Sequence, residues 1–132
     1  SLRENARLQV NPLKIVPVYS DLPAYVALVM AQDEMLAEKV RAILTRKKPR
    51  DVYDAWFLLK KGAKVNPGLI NEKLKYYGMN FSMKEFVKAV NAKEKKWKSE
   101  LQLLMKSPPG FKETAEYVLT EIKSQTESNN SI

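Results

Sequence analysis

Five ionisable side chains between positions 39 and 54 are of the right types and spacing for phosphate chemistry: Lys39, Arg46, Arg50, Asp51 and Asp54. Lysine offers a compact point charge and arginine a planar fork that matches phosphate or carboxylate. An aspartate can orient such cations or take a proton from an attacking group. From Lys39 to Arg50 there are six basic residues (Lys39, Arg41, Arg46, Lys47, Lys48, Arg50) and no acidic one. Asp51 and Asp54 then arrive together, one helical turn apart. A plainer reading competes. Carboxylates favour a helix N-terminus, and Arg50 and Asp54 stand at i, i+4, the spacing of an ordinary helical ion pair. Lys39 has its own plain reading, a stem packed on Met35 and Ile43 with the ammonium reaching water.

Two helices must position these groups. Met35, Leu36, Lys39, Val40, Ile43 and Leu44 recur at three- and four-residue intervals, so Lys39 sits at the edge of an otherwise apolar stripe. The corner Arg46-Lys47-Lys48-Pro49 ends that helix, and Val52, Ala55, Trp56 and Leu59 form the core stripe of the next. Lys47 and Lys48 are expected at the exposed corner, as a solvated turn or as contacts to RNA phosphates.

Composition narrows the chemistry. The 132-residue chain has 45% hydrophobic and 29% charged residues, which suits one soluble domain. It has no cysteine and no histidine, which excludes thiolate chemistry, the usual zinc ligands and any Ser-His-Asp scheme. A formal charge of +8 favours polyanionic partners. No apolar run approaches the roughly 20 residues of a membrane span, and none has the flanks of a signal peptide, so a cytoplasmic protein is expected. Asp51 and Asp54 are too few oxygens, in too basic a setting, for a hard-cation site, so no metal ligand is expected in this chain.

The flanking segments complete the architecture. Leu13-Lys14-Ile15-Val16, Val18-Tyr19 and Ala24 to Met30 are bounded by Pro12, Pro17, Ser20, Asp21 and Pro23 and read as short strands. The segment Tyr25 to Met30 is apolar on both faces and should be covered on both, by this chain's own helices, by sequence upstream or by a second copy. Gln32 to Glu34 should start the first central helix, with Gln32 or Asp33 as cap. Gly62 reads as a helix stop, Asn66-Pro67 as a restart, Gly78 as another stop, and Ser82 to Glu85 as a capping box. Asn91-Ala92-Lys93 is a candidate break before a helix that turns Trp97 inward. Ser107-Pro108-Pro109-Gly110 precedes a last helix from Phe111 to about Lys123. The expected fold is mainly α, a bundle of about five or six helices with a short N-terminal β-ribbon. The expected organisation is 1–31 as ribbon and connection, 32–124 as the helical domain and 125–132 as a disordered tail.

The string Glu38-Lys39-x-x-Ala42, Arg46, Arg50-Asp51-x-Tyr53-Asp54-x-Trp56-x-x-Leu59 resembles the C-terminal signature of the nucleotidyl transferase AbiEii/AbiGii toxin family. The resemblance implies a toxin of an abortive-infection or toxin–antitoxin system, built on a polymerase-β-like nucleotidyltransferase domain. It implies a nucleoside triphosphate and an RNA or protein acceptor as substrates, Mg²⁺ as cofactor and a cognate antitoxin as partner. In such proteins a Gly-Ser turn and an Asp-x-Asp pair belong to the N-terminal half, and neither occurs in this sequence. The chain is therefore expected to be the C-terminal part of a longer protein and inactive alone. On this reading Lys39, Asp51 and Asp54 are catalytic, Lys39, Arg46 and Arg50 bind phosphate, and the N-terminal ribbon could pair two copies. The alternative is a non-enzymatic basic helical module for nucleic acid or a partner protein.

Overall fold

The computed structural model of the protein describes residues 23–130. Its elements are α1 (Ala24–Thr45), α2 (Pro49–Lys60), α3 (Pro67–Leu74), a 3-10 turn (Lys75–Tyr77), α4 (Met83–Asn91), α5 (Glu94–Leu101) and α6 (Phe111–Asn130). Among the described residues there is no strand. The apolar stripes read from the sequence form one core: Leu36, Val40 and Ile43 of α1, Val52, Ala55 and Leu59 of α2, and Val118 and Ile122 of α6 are all buried in it. The α1–α2 hairpin is central, with α1 also against α3 and α4, and α2 against α5 and α6.

Local chemistry sets the ends of these helices. The Arg46 amide donates to Ala42 O at 2.9 Å and closes α1, and Pro49 opens α2, where its missing N–H costs nothing. Gly62 follows α2 with φ +100°, a conformation a side chain would resist, and the Ala63 amide folds back to Leu58 O at 3.0 Å. Asn66 Oδ1 accepts from the Leu69 amide at 3.1 Å, and Ser82 Oγ from the Glu85 amide at 3.3 Å, so both expected caps form. The chain breaks at Ala92-Lys93, and Trp97 points inward, its Nε1 donating to Pro109 O at 2.9 Å and its ring meeting Phe111 edge-on at 5.4 Å.

Three expectations need correction. Ala24 to Met30 is not a strand of a ribbon but the first two turns of α1, so the helix crosses the boundary placed at residue 31. The segment is apolar at almost every position, so it carries no period to separate helix from strand. Ala27 and Ala31, four apart and both buried, are the helical face it uses. The rest of that ribbon, residues 13–19, lies outside the described residues. Secondly, Gln32 and Asp33 cap nothing, because the helix begins at Ala24; Asp33 Oδ1 instead accepts from the Lys64 amide at 2.8 Å and fixes the α2–α3 loop. Thirdly, α6 continues to Asn130, past the expected end near Lys123 and into the segment read as a tail. Gln125 Oε1 takes the Val65 amide at 2.8 Å, and the Thr126 hydroxyl donates to Ile122 O at 2.7 Å, partners that polarity alone did not reveal.

Candidate functional site

The short α1–α2 corner places the last turns of α1 beside the first turns of α2. Lys39, two turns before the end of α1, therefore faces Asp51 and Asp54. Its Nζ lies 2.9 Å from Asp54 Oδ2 and 3.5 Å from Asp51 Oδ1. The Lys39 side chain is 25% exposed and Asp54 30%, so both sit at the rim, while Asp51 is fully buried. Arg46 closes on Asp51 from the corner, Nε donating to Oδ2 at 2.7 Å and Nη2 to Oδ1 at 2.8 Å. This two-point contact raises the Arg46 pKa, against an opposing effect of partial burial. Arg50 is exposed, and its Nε stands 4.0 Å from Asp54 Oδ2, at the limit of an ion pair. Lys47 and Lys48 are exposed on the corner.

The structure thus brings Lys39, Arg46, Asp51 and Asp54 into one cluster, with Arg50 at its edge. The forked carboxylate contact belongs to Arg46, while the i, i+4 spacing of Arg50 and Asp54 gives only a long ion pair. Asp51 is more than a charge at a helix start. It is the buried centre on which α1, the corner and α2 converge.

One member of this region was not among the residues the sequence singled out for the site. Lys93, between α4 and α5, is buried and donates from Nζ to Ile43 O at 2.6 Å. That carbonyl belongs to the last turn of α1, where C=O groups lack helical partners and the dipole is negative. Burial pushes the Lys93 pKa down, and the Asp51 charge opposes the shift. Lys93 lies in a lysine-rich run, Lys93-Glu94-Lys95-Lys96, that resembles a solvated face, and only the helix break before it hinted at a different role.

A second charged cluster lies on another flank of α1. Lys73 of α3 contacts Glu34 Oε2 and lies 3.7 Å from Glu38 Oε2, with Glu34 and Lys73 buried. Arg41 donates from Nε to Glu38 Oε1 at 2.7 Å and from Nη1 to Thr45 Oγ1 at 3.0 Å. Glu34, Glu38, Arg41 and Thr45 recur at three- and four-residue intervals, which was the available signal; nothing in the sequence pointed to Lys73.

Among the described residues no group of three or more His, Cys, Asp or Glu side chains is placed to hold a metal ion. The Asp51 and Asp54 oxygens already face Lys39 and Arg46, so these carboxylates do not suit Mg²⁺. No helix among the described residues is long and apolar enough to cross a membrane.

Comparison with known proteins returns one family model, which matches residues 1–120 and therefore covers the entire corner; no curated protein and no solved structure matches. With nine-tenths of its length matched, the chain belongs to the nucleotidyl transferase AbiEii toxin family of type IV toxin–antitoxin systems.

Proposed function

We propose that the α1–α2 corner forms the cationic wall of a nucleotidyltransferase site whose metal-binding carboxylates lie outside this sequence. The carrying observation is the placement of Lys39: its ammonium is held at the rim by Asp54 and oriented from below by buried Asp51. Membership of a transferase family supports an enzyme over a simple binding module.

In nucleotidyl transfer an acceptor atom attacks the α-phosphorus, the bond to the bridging β-oxygen breaks, pyrophosphate leaves, and the acceptor loses a proton. The protein's share is chiefly positioning and charge neutralisation. Lys39 and exposed Arg50 neutralise phosphate charge at the rim. Asp54, partly exposed beside them, is the candidate to receive the acceptor proton. Asp51 is a positioning residue: buried and forked by Arg46, it fixes Lys39 and the corner together. Lys47 and Lys48 extend the positive surface toward an acceptor. Mg²⁺ remains what the family implies, and the carboxylates here do not hold it. A nucleoside triphosphate substrate, an RNA acceptor and a cytoplasmic site of action belong to the same proposal, as does regulation by a cognate antitoxin.

Nucleotidyl transfer by the intact protein tests this reading. Asp54→Asn should slow transfer strongly and leave folding intact, because Asp54 is at the rim. A fully active Asp54→Asn protein would remove that residue from the proton-transfer step.

A further inference from the structure

The outward face of α2 continues from the corner toward Lys61 as alternating cations and aromatic rings. Arg50, Tyr53, Phe57 and Lys61 recur at three- and four-residue intervals, which places them on one side of the helix. Phe57 is 45% exposed, although burying a phenylalanine is normally favourable. The Tyr53 ring lies 6.5 Å from Phe57 at an interplanar angle of only 24°, and 5.6 Å from Trp56. One exposed ammonium sits over this surface, Lys61 Nζ at 5.3 Å from the Phe57 centroid, and a second borders it: Lys60 Nζ is 4.4 Å from the Tyr117 ring of α6 and 5.7 Å from Trp56. Of the acids of α2, Asp51 is buried and Asp54 is shared between Lys39 and Arg50, so the uncancelled charge of this face lies at its Lys60 and Lys61 end.

We propose that this face is a stacking platform for single-stranded nucleic acid. Phe57 offers its exposed ring to a base, half-buried Tyr53 backs it from the core side, and Arg50, Lys60 and Lys61 contact the flanking phosphates. The charge pattern favours this occupant over a protein. Protein-binding patches are depleted in lysine at their centre, whereas here a lysine lies over the Phe57 ring itself. A strand of nucleic acid needs both a stacking surface and cations beside it, and a flexible lysine can leave the ring for a phosphate as a base moves in. Because Arg50 and Asp54 begin the same face, a strand on Phe57 leads toward the corner. Its place as the acceptor's approach rests on the transferase reading; the platform itself does not.

The test is binding of a fluorescently labelled single-stranded oligouridylate to the intact protein, followed by anisotropy across a salt series without any nucleoside triphosphate. Transfer is not measured, so the outcome is separate from that of the transferase reading. Phe57→Leu keeps an apolar side chain but removes the ring, and should weaken binding about tenfold, the scale of one lost base stack. Lys61→Gln should lower the logarithmic salt slope by about 0.7. Tyr76→Leu, which removes an exposed ring on the 3-10 turn, should leave affinity unchanged. Heparin, charged but without bases, should bind Phe57→Leu and the parent protein equally. Unchanged oligonucleotide affinity in Phe57→Leu would overturn the platform. So would an equal loss of heparin binding, or a face that binds no oligonucleotide and is covered instead by a purified antitoxin.

Discussion

Helix α1 carries two charged clusters that look alike in sequence and differ in physics. On one flank Glu34, Glu38, Arg41 and Lys73 form a balanced set of two acids and two bases, most of it removed from solvent. On the other, Lys39, Arg46 and Arg50 meet Asp51 and Asp54, leaving a surplus positive charge before Lys47 and Lys48 are counted. The first set is closed: its two acids and two bases are paired as ions with one another, and only Glu38 and Arg41 keep a small exposure. The second is open, with one buried carboxylate as anchor and cations at the rim. A closed, neutral cluster can fix the packing of α1 on α3, whereas an open one with excess charge is suited to receive an anion.

Breaking the closed cluster should cost the most stability. Lys73→Met leaves the Glu34 carboxylate buried without its partner and should lower the unfolding free energy by about 3–5 kcal/mol, measured by denaturant titration. Asp51→Asn removes the buried anchor of the open cluster, but the released Arg46 can turn to water. A smaller loss of about 1–3 kcal/mol is expected, with a larger relative effect on transfer because the corner loosens. If Asp51→Asn proves costlier than Lys73→Met, the distinction between closed and open clusters fails.

Lys93 sharpens the comparison through pH. Burial lowers its folded pKa below the ordinary lysine value of 10.5, so between the two values the unfolded chain holds more protons than the folded one. Stability contributed by this residue therefore rises with pH across that window. Lys93→Met should remove that rise, seen as the difference between the two proteins' stability–pH curves above neutral pH. A parallel pair of curves would show that Lys93 is not desolvated. The smallest effect is expected away from both clusters: Ser82→Ala, which deletes the α4 cap, should cost about 1 kcal/mol in the same titrations.

Much of this was legible in the sequence where a residue's role depends on near neighbours. The caps at Asn66 and Ser82, the stop at Gly62 and the inward Trp97 follow from local backbone chemistry or helical period. That the two aspartates could orient Lys39 or Arg46 was an expectation from residue type and family resemblance, and the short corner is what brings these groups together. What escaped depends on groups brought together only by folding. Lys93 finds the Ile43 carbonyl, and Lys73 finds Glu34, through contacts that neither local spacing nor residue type encodes. Ala24 to Met30 failed for the opposite reason: with apolar residues on every side, a local rule had no contrast on which to act.

The central claim is that the open cluster exists to receive a phosphate, and Lys39→Ala in the intact protein tests it most directly. Removing a rim lysine while Arg46 still holds Asp51 should change the unfolding free energy by no more than about 1 kcal/mol. Transfer of a nucleotide should fall by about a hundredfold or more, as expected when a transition-state charge loses its stabilising partner. Transfer at the wild-type rate by a folded Lys39→Ala protein would contradict the account and leave Lys39 as one half of a surface ion pair.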